Sequence, residues 1–244
     1  MQQDSLYPSG NQMKISDISV EFLDYCGNDL SVVNAARVSF SKASEWEGTK
    51  VTILNSEETF TINKLSGKDV KLINYLAKHK HLSPFNHSFI SFRVKAPVFV
   101  ARQLVKHKFM PWNEVSRRYV DDEPEFYFPA GWRGRNKDKK QGSTVDIVSP
   151  VTVVDQDSTR WSLSQYKSLL EEGVAPEQAR MVLPQNTMTE WIWSGTLGAY
   201  CDMLRLRLKE DTQEETRKVA QLIAVDVESA FPVSYNALLG ETNA

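Results

Sequence analysis

The most informative stretch of this sequence for its fold is RQLVKHKFMPWNEVSRRY, from Arg102 to Tyr119. It holds five lysines and arginines and one histidine, against a single carboxylate, Glu114. Charge alone is ambiguous, because a solvated basic face of a helix would carry the same residues. The stretch therefore predicts either an anion-binding site or a plain surface helix, and other features must separate the two.

Helical spacing would bring several of these side chains together. Pro97 suits the first turn of a helix, and on that helix Gln103, Lys106 and His107 would face one way. The loop that follows has the pattern Asn-Glu-x-Ser-x-Arg. Arginine binds phosphate through two parallel hydrogen bonds, and a serine hydroxyl adds a further donor. The arrangement suits a phosphorylated ligand that also carries hydrogen-bonding groups.

Composition sets the broad class of the protein. The chain has 244 residues, of which 41% are hydrophobic and 25% charged, and its net charge is −2 at pH 7. These values exclude intrinsic disorder and a uniformly basic nucleic-acid coat. The longest apolar run, Ala96–Ala101, is far shorter than the roughly 20 residues of a membrane helix. Because the N-terminus also lacks a signal-peptide pattern, we expect a soluble, cytoplasmic protein.

The cysteines and histidines argue against metal chemistry. Cys26 and Cys201 are the only cysteines, which is too few for a disulfide framework or a cysteine-based metal cluster. Both are expected to be packed or unreactive thiols rather than nucleophiles. The four histidines do not cluster with carboxylates or cysteines in the sequence, so no metal site is predicted: His79, His81, His87 and His107.

Strand patterns prevail early in the chain and helical patterns late. Strands are predicted at 13–25 and 89–94, with a hairpin over Lys50–Ile62. Six further helices are predicted. The first follows Asp29 as its N-cap, the second begins at Ser66, and the third covers Ser158–Glu172. The fourth begins at Pro176, the fifth runs from Thr189 to Leu208, and the sixth follows a capping box at Thr212–Glu215 and ends at Pro232.

The remaining segments complete the domain prediction. Residues 1–12 are polar and are predicted to form a loose N-terminal segment. Residues 131–145 are rich in glycine and lysine without periodicity, which predicts a surface loop. Nothing resembles an interdomain linker, so residues 13–244 are expected to form one α+β domain with a helical C-terminal half.

The order of residue types in Arg102–Tyr119 resembles the signature of the flavin-dependent thymidylate synthases. That signature is Gln-x-x-Arg-His-Arg, seven residues and then Ser, within a longer string ending Asn-Glu-x-Ser-x-Arg-Tyr. In this chain it reads Gln103, Lys106-His107-Lys108, Asn113-Glu114, Ser116 and Arg118-Tyr119, with Phe109–Val115 as the seven intervening residues. The spacing of the signature is kept.

Four further segments resemble the same family. Asn34–Phe40 is similar to its Ala-Arg-Val-Ser segment, and Ser83–His87 to its Ser/Thr-Pro-Phe-Glu-His. Ala179–Pro184 resembles Ala-Arg-x-Val-Leu-Pro, and Leu204–Arg207 resembles Leu-x-Leu-Arg. Five blocks in the right order are much more specific than any single motif. The resemblance extends over about residues 13 to 232.

The resemblance implies a fold and an activity. Members of the family form an antiparallel sheet flanked by helices and assemble as homotetramers with sites shared between subunits. They convert dUMP to dTMP with methylenetetrahydrofolate as carbon donor, FAD as redox carrier and NADPH as reductant. No protein nucleophile is needed, which suits a chain whose Ser116 has no base placed beside it by sequence.

The resemblance also assigns residues to the two ligands. Arg207 is the implied catalytic residue, since a cation at the uracil edge would stabilise the ionised ring and favour attack by carbon 5. The implied dUMP residues are Gln103, Lys106, Glu114, Val115, Ser116, Arg117, Arg118, Arg180 and Arg207. The implied FAD residues are Ser39, His87, Lys106, His107, Lys108, Glu114, Thr196, Gly198 and Asp202.

Two departures from the family pattern bear on the flavin. Lys106 and Lys108 replace two arginines and keep the charge but not the planar fork of a guanidinium. Thr196, Gly198 and Asp202 stand where the family often has Asn, Arg and Asn. The loss of one cation and the gain of one anion predict a more weakly retained flavin.

Two other functions remain open. A nucleic-acid-binding module could use the basic stretch, although the net charge of −2 and pI of about 6.1 give it a modest electrostatic footprint. A flavin- or nucleotide-binding relative without synthase activity is compatible with the departures at Thr196, Gly198 and Asp202. Salt-sensitive polynucleotide binding without flavin would indicate the first, and flavin binding without dUMP-dependent turnover the second.

Overall fold

The computed structural model describes residues 13–52, 59–120, 122–137 and 142–240. The predicted loose segment 1–12 lies outside this range. Ten strands occur in chain order: β1 Lys14–Ile15, β2 Ser19–Cys26, β3 Glu47–Thr52, β4 Thr59–Lys64, β5 Phe89–Pro97, β6 Trp112–Glu114, β7 Glu125–Phe126, β8 Gly131–Arg135, β9 Ser143–Pro150 and β10 Met188–Thr196. Eight α-helices accompany them: α1 Asp29–Arg37, α2 Gly67–Lys78, α3 Val98–Leu104, α4 Val153–Glu171, α5 Pro176–Ala179, α6 Leu197–Arg207, α7 Glu214–Ala230 and α8 Pro232–Leu239.

A four-stranded antiparallel sheet organises the molecule, in the order β2-β5-β10-β6. Its two central strands pair over their whole length, from Met188 opposite Pro97 to Thr196 opposite Phe89. Alternate residues of β5 are buried, as one face of a strand packed on a core requires. Helix α7 packs against β2 and β5, and α2 packs against α8. The predicted fold class, an antiparallel sheet with helices, is confirmed.

Smaller strand pairs lie outside this sheet. The predicted hairpin at 50–62 is confirmed by the antiparallel pairing of β3 with β4, and its turn at 53–58 lies outside the described residues. The structure differs from the surface loop predicted at 131–145. There β8 and β9 form an antiparallel hairpin around residues 138–141, because pairing between strands can form a hairpin without an apolar period.

Strand β10 corrects the helix predicted from Thr189 to Leu208. Residues 188–196 are extended, and helix α6 begins only at Leu197, with the Thr196 hydroxyl accepting a hydrogen bond from the Ala199 N–H at 3.2 Å. Trp191 and Trp193 are both buried and point to one face of the strand. Burial between β5 and β6 decides the conformation here, where the local apolar pattern fits a strand or a helix equally.

Two predicted helix caps are also wrong, although their helices are confirmed. The N-cap of α1 is Asn28, not Asp29. The buried Asp29 carboxylate instead accepts hydrogen bonds of 2.9 Å from the Val233 and Ser234 N–H groups at the start of α8. Such a contact joins residues that are distant in sequence, and a local capping pattern cannot predict it.

The capping box predicted at Thr212–Glu215 does not form. The N-cap of α7 is Gln213, without a side-chain cap bond. Thr212 donates its hydroxyl hydrogen to the Leu206 carbonyl at 3.1 Å, and Glu215 forms an ion pair with Arg133 of β8 at 2.5 Å. The first turn of α7 is therefore tied to the β8–β9 hairpin.

Candidate functional site

A large open cavity collects most of the predicted nucleotide residues. Its volume is about 1020 Å³, and it lies beside helix α3, the segment after β6, and residues 180–190. Six of the nine predicted dUMP residues line it, namely Glu114, Val115, Ser116, Arg117, Arg118 and Arg180. The chain fold thus brings together two motifs that are more than 60 residues apart in the sequence.

The arginines of this cavity donate to neutral acceptors. Arg117 donates to the Asp122 carbonyl at 2.8 Å, Arg118 to the Ser116 hydroxyl at 3.3 Å, and Arg180 to the Glu177 carbonyl at 3.3 Å. Arg102, which the motif did not assign to the nucleotide, is exposed and lines the same cavity. Five acidic residues also line the cavity, but none of them forms an ion pair with these arginines among the described residues. The guanidinium groups can therefore meet an anion such as a phosphate.

Glu114 is held by two residues that the sequence prediction did not include. The Thr189 hydroxyl donates to one carboxylate oxygen at 2.7 Å, and the Trp112 indole N–H donates to the other at 3.1 Å. Strand β6 pairs with β10, and Trp112 stacks on Trp191 with ring centroids 4.3 Å apart. Trp112 and Glu114 share a face of β6 because they are two residues apart, which is the one signal that could have found Trp112.

The turn after α3 corrects the predicted shared helical face. Helix α3 ends at Leu104, so Lys106 and His107 lie in a turn, not on the helix with Gln103. The turn includes Phe109 with φ of +61°, a left-handed conformation that is uncommon outside glycine. Lys106 and Lys108 are exposed on this turn. His107 and Gln103 still meet, through their contacts with a third residue.

That third residue is Arg207, the predicted catalytic residue at the end of α6. Its Nε donates to His107 Nε2 at 3.0 Å, and one of its terminal nitrogens donates to the Gln103 carbonyl at 3.2 Å. Burial, together with the charge of Arg207, lowers the pKa of His107 to about 4. Burial also lowers the pKa of Arg207 from its usual value.

Arg207 and Gln103 line a second, smaller cavity of about 340 Å³. Its other lining residues come from Gly142 and from the 206–213 segment between α6 and α7. Among the described residues of one chain, the large cavity does not include Arg207 or Gln103. The predicted nucleotide residues therefore form two separate groups within a single subunit.

Apart from Glu114 on β6, the predicted flavin residues lie on short turns, at the N-cap of α6 and on α6 itself. Ser39 and His87 are exposed within the 3₁₀ turns Val38–Phe40 and Ser83–His87. Thr196 donates its hydroxyl hydrogen to Asn86 Oδ1 at 2.8 Å. Asn86 is a residue that the sequence prediction left out.

Gly198 fits closely beneath Asn86. A Cβ atom at position 198 would lie 2.5 Å from Asn86 Oδ1, so the absence of a side chain at 198 is what allows Asn86 to bond to Thr196. One turn further along α6, Asp202 forms an ion pair with Arg205 at 2.5 Å. The three residues that depart from the family pattern thus contact other residues of the same chain. These contacts lie at the start and in the middle of helix α6.

The candidate residues along α6 suit an extended ligand. Thr196 caps the helix and Arg207 ends it, a span of roughly 15 Å at 1.5 Å per residue. Gly198 and Asp202 are four residues apart and share a face. The 3₁₀ turn that carries His87 packs against this helix, so the hydroxyl of Thr196 and the imidazole of His87 belong to adjoining elements.

The two cysteines differ in their exposure. Cys201 is buried in α6, and burial raises the pKa of its thiol to about 12, so the prediction of an unreactive thiol is confirmed there. Cys26 is exposed at the end of β2. Within the described ranges, no three His, Cys, Asp or Glu side chains are grouped so that they could hold a metal ion. His79 and His81 pack instead around the Tyr75 ring.

No helix in the described part of the chain combines the length and the apolar character that crossing a membrane requires.

Comparison with known proteins identifies the relatives of this chain. Residues 21–233 match the family described as thymidylate synthase complementing protein. A flavin-dependent thymidylate synthase of Thermus thermophilus is 38% identical over 89% of this chain and 74% of its own length. Another from Kosmotoga olearia is 35% identical over 90% of this chain and 89% of its own length.

Solved structures give the same relationship. A UMP/dUMP methylase from Streptomyces cacaoi, bound with 5-bromo-dUMP, superposes with a TM-score of 0.74 at 29% identity, covering 94% of this chain and 97% of that chain. The same methylase bound with 5-bromo-UMP gives a TM-score of 0.73. Shared sequence over most of the chain and a shared fold both show that this chain belongs to the family of flavin-dependent thymidylate synthases.

Proposed function

We propose that this protein is a flavin-dependent thymidylate synthase that converts dUMP to dTMP by reductive methylation. Methylenetetrahydrofolate would supply the carbon, FAD would carry the redox equivalents and NADPH would be the reductant. The observation that carries the proposal is the large cavity, in which the family's Glu-x-Ser-x-Arg segment and Arg180 meet, and whose arginines form no ion pair among the described residues. The Streptomyces cacaoi methylase with the same fold supports the pyrimidine nucleotide as substrate.

The phosphate of dUMP would bind in the large cavity. Arg117, Arg118 and Arg180 line it together with the Ser116 hydroxyl. A phosphate accepts bidentate hydrogen bonds from arginine, and these bonds are about twice as strong as those between neutral groups. Val115, whose N–H donates to the Glu190 carbonyl at 2.9 Å, would contact the nucleotide through its exposed side chain. Glu114, fixed by Thr189 and Trp112, would accept from the nucleotide or the flavin.

Arg207 would act at the uracil ring. A fixed cation at the ring edge stabilises negative charge on the pyrimidine, and the resulting electron density favours attack by carbon 5. This chemistry needs no protein nucleophile, in keeping with the buried, high-pKa thiol of Cys201. Gln103 and Lys106 would complete this end of the site.

A homotetramer with shared sites would account for the separation of the two groups of residues. In one chain the phosphate residues and Arg207 line different cavities, so a second copy would have to bring them together. Large apolar side chains flank the candidate residues and are each at least 70% exposed: Val38, Phe40, Phe109, Tyr119 and Met181. Exposed apolar groups concentrated around a site favour a partner surface, and a second copy is the partner proposed.

FAD would lie across α6 and the two 3₁₀ turns, held by Ser39, His87, Lys106, His107, Lys108, Glu114, Thr196, Gly198 and Asp202. When bound, the flavin supplies the oxidation and reduction that methylation of uracil requires. The ammonium groups of Lys106 and Lys108 act as point charges without the fork of arginine. We therefore expect the flavin to be retained weakly during purification.

Reconstitution tests the proposal directly. The purified protein is incubated with FAD, its flavin absorbance is recorded, and dTMP is measured after addition of NADPH, dUMP and methylenetetrahydrofolate. dTMP formation that requires every component is the expected result. A protein that takes up no flavin after incubation with FAD, or one that takes up flavin and yields no dTMP, would contradict the assignment, and the latter would indicate the flavoprotein without synthase activity.

A further inference from the structure

The way in which Arg207 is held has a consequence for its charge. Two of its nitrogens donate to acceptors, the His107 ring nitrogen and the Gln103 carbonyl, and both acceptors are uncharged. We infer that His107 is a positioning residue for Arg207. As an uncharged hydrogen-bond acceptor it orients the guanidinium, which keeps its full positive charge for the ligand. This inference rests on the proposed function, in which Arg207 faces the uracil ring.

A neutral acceptor does something that a carboxylate would not. A carboxylate in the same position would fix the guanidinium as firmly, but its negative charge would offset the positive charge that the ligand is meant to meet. In the large cavity, where a doubly charged phosphate is expected, the arginines are also held by neutral groups. At Arg207 the expected ligand charge is smaller, since an ionised pyrimidine ring carries a single delocalised negative charge, and an uncancelled cation matters more.

The surroundings keep His107 uncharged. The ring is half-buried and packs beside Trp193, with ring centroids 6.4 Å apart. Desolvation and the nearby Arg207 charge both disfavour the imidazolium, whereas Asp202 favours it, and the pKa of His107 falls to about 4. At neutral pH the Nε2 lone pair is therefore available to Arg207, and the ring proton lies on Nδ1.

The second acceptor is fixed just as firmly. The Gln103 side-chain oxygen accepts from the buried Thr216 hydroxyl at 3.2 Å, and its amide nitrogen donates to Gln213. Gln103 is thereby anchored to the start of α7. A guanidinium has five N–H donors, and the two hydrogen bonds to His107 and Gln103 leave the others for a ligand in the smaller cavity that Arg207 lines.

Three variants separate orientation from charge. His107→Gln keeps a neutral acceptor, His107→Glu keeps an acceptor but adds a negative charge, and His107→Ala removes the acceptor. The probe is 5-bromo-dUMP, whose N3–H ionises and changes the ultraviolet spectrum. The FAD-loaded protein is titrated with the probe at several pH values, and the pKa of the bound pyrimidine is read by difference absorbance.

The expected order follows from the geometry. Wild type should lower the pKa of the bound probe, and His107→Gln should stay within about threefold of wild type in ionisation constant. His107→Glu should lose at least about tenfold, which is one pKa unit, although it retains its acceptor. His107→Ala should fall between these two variants.

Two results would overturn the inference. The first is a His107→Glu protein that ionises the probe as well as His107→Gln does, since charge at 107 would then be irrelevant. The second, which needs no variant, is an NMR titration of labelled histidines in which His107 gains its proton near the model-peptide value of 6.5. Failure of wild type to bind 5-bromo-dUMP at all would instead overturn the proposed function, and the inference with it.

Discussion

The arginines of the two cavities are held in different ways. In the large cavity, Arg117, Arg118 and Arg180 donate to acceptors within five residues of themselves. Arg207 in the small cavity is half-buried and donates to two groups that are about 100 residues away in the sequence. Cations that are held locally, of which Arg118 and Arg180 are also exposed, provide attraction that is adjustable in direction and screened by salt. A cation fixed by distant parts of the fold provides direction, which is what stabilisation of a transition state requires.

The largest effect should come from the fixed cation. Arg207→Ala should lower kcat by about 100- to 1000-fold, which is the usual cost of removing one preorganised donor at developing charge. The KM for dUMP should change much less, because phosphate binding is assigned to the other cavity. Steady-state kinetics measure both constants.

A matched control for this variant is Arg160→Ala. Arg160 lies on α4 and forms an ion pair with Asp157 at 2.8 Å, away from both cavities, so its loss should leave kcat within twofold. If Arg207→Ala turned over at the wild-type rate while binding flavin normally, the directional role of Arg207 would be refuted.

The solvent-facing cations should behave in the opposite way. Arg118→Ala should raise the KM for dUMP about 30-fold, within the range for loss of a charge-assisted hydrogen bond, and should change kcat little. Binding of dUMP by wild type should weaken as salt increases, and the variant should show a shallower salt dependence. Isothermal titration at several salt concentrations measures this, and equal slopes for the two proteins would contradict the comparison.

Loss of one hydrogen bond to the Glu114 carboxylate should have a smaller effect on activity. Thr189→Val removes the hydroxyl that bonds to one carboxylate oxygen and leaves Trp112 on the other. We expect kcat/KM for dUMP to fall about tenfold, since a hydrogen bond to a charged group contributes about 1.5 kcal/mol or more. Thr189→Ser keeps the hydroxyl and should retain most of the activity. Equal losses in the two variants would indicate a packing role for Thr189 instead.

A substitution at Gly198, near the start of α6, should have a still smaller effect, and it should appear in the stability of the protein. Gly198→Ala would place a methyl group 2.5 Å from Asn86 Oδ1, so the Asn86 side chain must shift. If this shift removes its hydrogen bond with Thr196, the cost is about 1 kcal/mol. Thermal unfolding of the flavin-free protein measures this cost. In the Asn86→Ala background, the same change at Gly198 should cost much less. Additive losses would show that the two positions are uncoupled.

A last effect concerns acid stability. The pKa of His107 is lowered from 6.5 to about 4 in the folded protein. As the pH falls through this window, the unfolded chain gains a proton that the folded chain does not bind, so stability decreases. His107→Gln should lose less stability than wild type between pH 7 and 5. Urea unfolding at several pH values measures the difference, and parallel curves would contradict a neutral, buried His107.

Six of the nine residues that the motifs assign to the nucleotide line the large cavity, but the motifs did not predict the geometry of the site. Glu114 to Arg118 lie within one short segment, and Arg180 carries its own motif, so their residue types were recognisable. The hydrogen bond between His107 and Arg207 was not predictable in the same way. The predicted helix would have extended past Lys106, whereas α3 ends at Leu104, and it is the turn that carries His107 to α6.

Strand β10 illustrates the physical reason for such errors. The residues from Thr189 to Thr196 carry an apolar pattern that a helix could continue, and only pairing with β5 and β6 makes them extended. Thr189 reaches Glu114, and Thr196 reaches Asn86, because of that pairing. Contacts of this kind join distant segments through the sheet, so residue spacing along the chain does not show them.

Subunit complementation tests the central claim, that the two cavities are halves of one site completed by a second copy. Arg207→Ala and Arg118→Ala proteins are prepared separately, each with reduced turnover at low dUMP, and then mixed under conditions that exchange subunits. Mixed assemblies would contain some sites that carry both substitutions and some that carry neither. We predict that dTMP formation rises well above the sum of the two separate proteins. No rise, in mixtures where exchange is verified by differently tagged chains, would contradict the shared site.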